Sequence, residues 1–261
     1  MTVTLDRART PRGLRLYAIG DVHGEADALA AVLDRVHDDI RRRPPPDWRI
    51  VLLGDYIDRG PDSRAVLSIL ASLEARDRTY CLRGNHEQCL IDVLTDPESP
   101  SLYPWLMDGG LATLASYGID ATLDDIDDAL ARWVLSRALA TAITKRQAGA
   151  LASMPHAIRF GDFFFAHAGI RPTIALAEQR PRDLMFIRTP FLREHDAHEA
   201  VIVHGHGARA EMDVQSNRIG LATLAPGDEA CLVLEDAWFS VLSADGLRPL
   251  SDSMEDVADA A

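Results

Sequence analysis

Five apolar runs in this chain each end in a short polar segment rich in glycine, aspartate and histidine. The runs are Leu16-Tyr17-Ala18-Ile19, Ile50-Val51-Leu52-Leu53, Thr79-Tyr80-Cys81-Leu82, Phe163-Phe164-Phe165-Ala166 and Val201-Ile202-Val203. Apolarity that is continuous rather than alternating predicts strands covered on both faces, as in an α/β sheet. Between the first two runs, Leu29, Val32, Leu33, Val36 and Ile40 recur at helical spacing, and Arg41-Arg42-Arg43-Pro44-Pro45-Pro46 stops that helix. After Gly60-Pro61, the positions Ala65, Val66, Ile69, Leu70 and Leu73 repeat the pattern before the third run. The order is βαβαβ, which predicts a parallel half-sheet with right-handed crossovers.

From about residue 98 to 153 the pattern changes. Leu123, Ile126, Leu130, Trp133 and Val134 predict an amphipathic helix, and Thr144 with Gln147 has capping-box spacing for another, which Pro155 follows. This block reads as a helical cap insertion. From His156 onward short β-like runs dominate: Ala157 to Phe160, Phe163 to Ala166, Val201 to Val203, Arg218 to Thr223, Cys231 to Leu234 and Phe239 to Leu242. The expected fold is α/β, with two packed mixed β-sheets flanked by helices in one domain over 1–246. Residues 247–261 are acidic and weakly patterned, and predict a disordered tail.

The composition narrows the chemistry. At 261 residues the chain can bury a full core without disulfides, and Cys81, Cys89 and Cys231 lack metal-site spacing. A reduced compartment is expected. The first fifteen residues are polar with four arginines, and no apolar run is long enough for a membrane span, so the reading is a cytoplasmic protein with no membrane partner. The net charge of −13 argues against nucleic acid as a partner and requires any phosphate chemistry to occur at a locally positive site. Oligomeric state is silent.

The segments that follow the five runs read Gly20-Asp21-Val22-His23-Gly24, Gly54-Asp55-Tyr56-Ile57-Asp58-Arg59-Gly60, Arg83-Gly84-Asn85-His86-Glu87, His167-Ala168-Gly169 and His204-Gly205-His206. Ligands of open α/β sheets bind beyond the carboxyl ends of the strands, so the five segments are expected to converge on one crevice. Carboxylates, imidazoles and an amide together suit borderline divalent ions such as Mn, Fe, Co or Zn. Asp55 is the natural bridge between two ions, Asp21 and His23 suit one of them, and Asn85, His167 and His206 complete the other. Two divalent ions would outweigh the charge of Asp21 and Asp55 and leave a positive site for phosphate, with a bridging hydroxide as nucleophile. Arg59, Arg83 and Arg188 suit the non-bridging phosphate oxygens, and Asp58 with His86 suits an acid for a departing alkoxide.

These motifs, in this order, resemble the phosphoprotein phosphatase branch of the calcineurin-like metallophosphoesterases, whose pattern is GDxHG, GDxxDRG, RGNHE, HAG and GH. The likeness extends through Trp105 to Tyr117 and Asp183 to Leu192, and covers about residues 15 to 240. The resemblance implies a β-sandwich flanked by helices, and two divalent metal ions, with Mn favoured and Fe, Zn, Co or Ni as other choices. It assigns Asp21, His23 and Asp55 to the first metal and Asp55, Asn85, His167 and His206 to the second. It makes Asp58 and His86 the general-acid dyad and Arg59, Arg83 and Arg188 the phosphate-binding arginines. The activity implied is phosphomonoester hydrolysis, on phosphorylated proteins or small phosphoesters. The alternatives are hydrolysis of dinucleoside polyphosphates or other nucleotides, and a non-catalytic scaffold. Two departures lie beside the motifs: Gly207 stands where bacterial members often have Thr, and Ala222-Thr223-Leu224-Ala225 replaces an Asp-Thr-Gly-Ala stretch.

Other polar residues have plainer readings. His204 is expected to be a strand-end histidine bonded to backbone, and His37, His156, His195 and His198 lack partner patterns. Trp48, Trp105, Trp133 and Trp238 read as packing residues. Asp124, Asp125, Asp127 and Asp128 read as the solvated start of a helix.

Overall fold

The computed structural model describes residues 2–73, 78–123, 128–207, 211–225 and 231–250. The first βαβαβ unit consists of β1 (Leu14–Ile19), α1 (Ala26–Arg42), β2 (Asp47–Leu52), α2 (Ser63–Leu73) and β3 (Thr79–Cys81). β1, β2 and β3 are parallel, with Leu16 opposite Arg49 and Val51 opposite Tyr80. The chain continues into α3 (Asn85–Thr95) and then a helical block of α4 (Leu102–Trp105), α5 (Leu111–Ser116), α6 (Ala129–Ala142) and α7 (Lys145–Ser153). A wide turn at Leu106–Gly110 joins α4 to α5.

The second half supplies β4 (Ala157–Phe160), β5 (Phe163–Ala166), α8 (Pro181–Phe186), α9 (Thr189–Leu192), β6 (Val201–His204), β7 (Asp213–Val214) and β8 (Arg218–Gly220). It ends with β9 (Cys231–Glu235), β10 (Trp238–Ser243) and β11 (Gly246–Pro249). Two mixed sheets result, one ordered β11-β10-β9-β1-β2-β3 and the other β4-β5-β6-β8-β7. β9 returns to the first sheet and pairs antiparallel with β1, so the chain's two halves are sewn together at the strand that leads into the site.

Strand parity explains the layering. Leu16, Ala18, Val51 and Leu53 face Phe163, Phe165, Val201 and Val203 between the sheets, whereas Tyr17, Ile19, Ile50 and Leu52 face Val32, Val36, Val66 and Leu70 of α1 and α2. On the far side, Phe164, Ala166 and Ile202 pack on Leu184, Ile187 and Phe191 of the α8–α9 region. The helix-sheet-sheet-helix order follows from strands apolar on both faces. No helix among the described residues is long and apolar enough to cross a membrane.

Three local expectations change. The first residues of the expected tail are ordered, because β11 pairs with β10 and places Leu247 opposite Leu242, with Leu250 buried beyond it, while 251–261 lie outside the described residues. The run from Arg218 holds strand geometry only to Gly220. The helix expected to bury Leu130, Trp133 and Val134 exposes all three, and α6 instead packs through Ser136, which donates to the Val93 carbonyl, and Leu139. Its N-cap is Asp128, while Asp124, Asp125, Ile126 and Asp127 lie outside the described residues. The Thr144 capping box at α7 forms as expected. Trp105 is buried, whereas Trp133 and Trp238 are about half exposed and therefore only partly packed.

Candidate metal-binding active site

The strand-end segments meet in one crevice, and their backbone is strained there. Among the described residues, six non-glycine positions have positive φ, and five of them are His23, Asp55, Asp58, Arg59 and His206. Such conformations cost about 1–3 kcal/mol each and persist only where the surroundings over-determine them. Gly205 shows how tightly the segments close, since a Cβ at that position would collide with the Asp21 carboxylate.

Asp55 is the centre. It is buried, and its Oδ1 lies 3.2 Å from His167 Nε2 while its Oδ2 lies 3.8 Å from His86 Nε2. Two groups of possible metal donors share it: His23, Asp55 and His86 on one side, and Asp55, His167 and His206 on the other, with donor atoms within 4.8 Å of one another in each group. The tautomers are fixed from behind. His167 Nδ1 is 3.0 Å from the Leu53 carbonyl and His23 Nδ1 is 3.2 Å from the Ile57 carbonyl, so these nitrogens carry the protons and each Nε2 is left to face the crevice.

Asn85 closes the second group. Its inward amide atom lies 3.0 Å from His167 Nε2, 2.9 Å from His206 Nδ1 and 3.3 Å from each Asp55 oxygen. Whichever amide atom points inward, it joins a cluster of carboxylate and imidazole atoms of the kind that can hold a cation. His206 Nε2 is buried without a hydrogen-bond partner among the described residues. Together the donor set fits borderline divalent ions. Asp21 stands at the base of the crevice, where its oxygens accept from the His206 and Gly207 amides at 3.2 and 3.3 Å. The structure thus places His86, rather than Asp21, in the compact group with His23.

The electrostatics reflect carboxylates and imidazoles crowded together out of water. Burial pushes Asp21 up to about 6, with the Asp55 charge adding to it against His167. For His167, burial disfavours the charged ring, but Asp55 and Asp21 outweigh it and hold the group up at about 9. His86 is likewise raised to about 9, against burial, by Asp55 and Asp58. Burial takes His23 down to about 4, and burial with His167 takes His206 down to about 3, so both stay unprotonated near neutral pH. Asp55 is held far below the usual carboxylate range by His167 and His86 in spite of its burial.

The Asp58–His86 pair is built as a unit. His86 Nδ1 lies 2.6 Å from Asp58 Oδ2, and Trp105 Nε1 donates to the same oxygen at 2.9 Å. Thr113 Oγ1 donates to Asp58 Oδ1, and the Asp58 amide donates to Ser63 Oγ at 2.9 Å. Arg59 overhangs the crevice, with Nη1 3.1 Å from His23 Nε2 and Nη2 3.4 Å from His86 Nε2. Arg188, exposed at the start of α9, acts electrostatically on His206. Arg83 differs from expectation: its fork bonds Gln88 Oε1 at 3.1 Å and the Leu151 and Ala152 carbonyls at 3.1 and 3.2 Å. Those carbonyls end α7, so the guanidinium ties the cap down instead of entering the crevice. His204 bonds the Gly205 carbonyl through Nδ1 at 3.0 Å and packs edge-on against Phe191, outside both donor groups.

The sequence pattern assigns no site role to Glu87, Trp105, Asp108 or Thr113. Glu87 is fully buried and accepts from the amides of Asp55, Tyr56, Ile57 and Gly84 at 2.9, 2.7, 3.3 and 3.0 Å, locking two motif segments together. Its place in Asn85-His86-Glu87 was the available signal. The departures at 207 and 222–225 also have a place: Thr223 Oγ1 donates to the Gly207 carbonyl at 3.1 Å and the Leu224 amide to the Asp21 carbonyl at 2.8 Å.

Comparison with known proteins shows relatives among phosphatases and tetraphosphatases. A symmetrical bis(5'-nucleosyl)-tetraphosphatase of Pseudomonas fluorescens is 34% identical over 106 residues, 34% of this chain and 35% of that protein. Serine/threonine-protein phosphatase 1 of Salmonella typhimurium is 34% identical over 95 residues, 36% of this chain and 38% of that protein. The chain thus spans little more than a third of the length of these relatives. A cold-active protein tyrosine phosphatase shares the fold, with a TM-score of 0.60 at 18% identity over 94% of this chain and 84% of that one. The model of the calcineurin-like phosphoesterases matches residues 14–225, every strand-end segment included, and the chain belongs to that metallophosphoesterase family of hydrolases, whose members use divalent metal ions.

Proposed function

We propose that the chain is a divalent-metal-dependent phosphomonoesterase acting on phosphorylated protein side chains. The observation that carries the reading is the buried Asp58–His86 pair, whose His86 Nε2 faces the crevice between Asp55 and Arg59. A built proton donor has most value where the leaving group is a poor one, such as the alkoxide of serine or threonine. A phosphate leaving group is far less basic and gains less from it.

Asp21, His23 and Asp55 would hold one ion, and Asp55, Asn85, His167 and His206 the other. Divalent ions bound there, with Mn favoured, supply positive charge to the phosphate and make water acidic enough to act as a nucleophile near neutral pH. The protein's own groups do the rest. Arg59 and Arg188 hold non-bridging phosphate oxygens at the mouth. His86 gives its Nε2 proton to the ester oxygen as the bond from phosphorus to that oxygen breaks and the bond to the water oxygen forms. Asp58 keeps His86 charged and oriented until then. Glu87 keeps the Asp55 and Asn85 segments in register.

The second reading is dinucleoside polyphosphate hydrolysis, which the tetraphosphatase relatives favour. A panel of phosphoserine and phosphotyrosine peptides, an aryl phosphate and diadenosine tetraphosphate, assayed with Mn-loaded protein, separates the two. The highest kcat/KM is expected on a phosphopeptide, and a clear preference for diadenosine tetraphosphate would overturn the reading.

A further inference from the structure

The turn at Leu106–Gly110 lays over the mouth of the crevice a carboxylate that the reaction above does not use. Asp108 Oδ1 is 2.7 Å from Arg59 Nη2, and its Oδ2 is 3.5 Å from His86 Nε2. The turn is fixed there by several independent contacts. The Gly109 carbonyl accepts from the Arg59 amide at 3.2 Å, and Gly109 has φ 109° in a place where a Cβ would run into the Arg59 backbone. Trp105, which starts the turn, is anchored on Asp58. Asp108 is therefore held in position even though its side chain is 55% exposed.

We propose that Asp108 is a specificity-determining residue that disfavours phosphoesters with anionic leaving groups, nucleoside polyphosphates above all, relative to those with neutral or cationic ones. The inference rests on the role of His86 in the proposed function. The ester oxygen must lie at His86 Nε2 to receive its proton. His86 is only 3% exposed, so whatever is attached to that oxygen leaves the crevice past Asp108 on the outer side. A seryl or threonyl side chain meets the carboxylate as a neutral group, whereas a nucleoside diphosphate brings several negative charges to it. Like charges brought together at a binding surface reject a partner without adding any contact to the favoured one. Asp108 also occupies one edge of the Arg59 fork and so removes a cation that further phosphates would use. The net charge of −13 acts in the same direction over the whole surface.

The test compares the Mn-loaded parent with Asp108→Asn, which keeps an acceptor for Arg59 and removes the charge. The quantity read is kcat/KM on diadenosine tetraphosphate divided by kcat/KM on a phosphoserine peptide, a ratio that does not depend on the fraction of folded protein. The ratio is expected to rise about tenfold at low salt and the gain to shrink at high salt, where screening weakens it. Direct calorimetric binding of ADP, the group released when diadenosine tetraphosphate is cut at its centre, should tighten in the variant. A ratio within about twofold of the parent's, or a gain that salt does not reduce, overturns the inference. Failure of the underlying reading looks different, since the parent itself would then prefer diadenosine tetraphosphate. Asp108→Ala separates charge from positioning: loss of Arg59 support alone would lower both substrates together and leave the ratio where it was.

Discussion

The strand ends of the sandwich and the helical cap build the same crevice by different means. At the strand ends each side chain is fixed by its own backbone: His23, Asp55 and His206 sit at φ 45°, 49° and 55° on short turns after β1, β2 and β6. The cap supplies no residue to the two donor groups, yet it reaches in with Trp105, Asp108 and Thr113 to hold Asp58, Arg59 and the surroundings of His86. One region carries the candidate donors and the other restrains Asp58, His86 and Arg59. Substitutions in the first should therefore empty the site, while those in the second should leave metal bound and change which substrates are turned over.

The largest effect is expected at the shared carboxylate. Asp55→Asn should lose metal content and at least about a thousandfold in kcat/KM while most of the fold persists. Elemental analysis decides it: two ions per chain retained in the variant would break the comparison at its centre. At the end of β6 the prediction is a contrast between neighbours. His206→Ala should lose one ion and nearly all activity, while His204→Ala, which removes an edge contact to Phe191, should keep both ions. The reverse pattern of metal loss would show that the wrong histidine has been placed at the site.

How much of this was legible in the sequence follows the same division. The candidate metal donors lie on turns directly after apolar runs, so local pattern marks them for one crevice, and the parallel order of β1, β2 and β3 follows from helices between the runs. The cap contacts are long-range, with Trp105 reaching back 47 positions to Asp58 and Thr113 reaching back 55. No periodicity reports a pairing of that kind. Arg83 shows the converse. Its motif suited phosphate, but the packing of α7 brings carbonyls within its reach first. On α6, the apolar positions Leu130, Trp133 and Val134 have the spacing of a buried stripe, and only tertiary packing selects Ser136 and Leu139 as the contact face.

The Asp58–His86 pair links the two regions, and its proposed role as proton donor predicts a substrate-dependent loss. His86→Asn should lower kcat/KM on a phosphoserine peptide by about 10²–10⁴ and much less on an aryl phosphate, whose phenoxide departs with little help. Equal losses on both would remove His86 from the proton-donor role and leave it a structural neighbour of Asp55.

Metal loading should be linked to protons through the strand-end residues and not through the cap. His23 and His206, held at about 4 and 3, carry no proton to displace near neutral pH, but His167, held at about 9, does. Metal affinity should therefore climb by up to about tenfold per pH unit until pH approaches 9, with about one proton released per chain at His167. Calorimetry in buffers of different ionisation enthalpy measures that release. The sign for the metal-free fold is opposite. A histidine raised from 6.5 to about 9 adds stability that is fully present below 6.5 and is lost as pH rises through 9. Metal binding without proton uptake by the buffer near pH 7 would contradict the crowded-carboxylate picture of the crevice.

The smallest expected effect isolates the cap's restraint on the acid. Trp105→Phe keeps an aromatic ring in a buried position but removes the indole N–H donated to Asp58 Oδ2, the oxygen that also bonds His86 Nδ1. Asp58 then loses one of the bonds that hold its carboxylate in line, and His86 loses part of its orientation. Metal content should be unchanged, because no donor is touched, and kcat on a phosphoserine peptide should fall about tenfold, the scale of losing a supporting hydrogen bond behind a reacting group. The aryl phosphate should lose less, since its leaving group asks less of His86. Trp133→Phe on the exposed face of α6 serves as the control within the same cap and should change neither substrate. If Trp105→Phe instead released metal, the cap would be supporting the strand-end turns as well, and the division of labour between the two regions would fail.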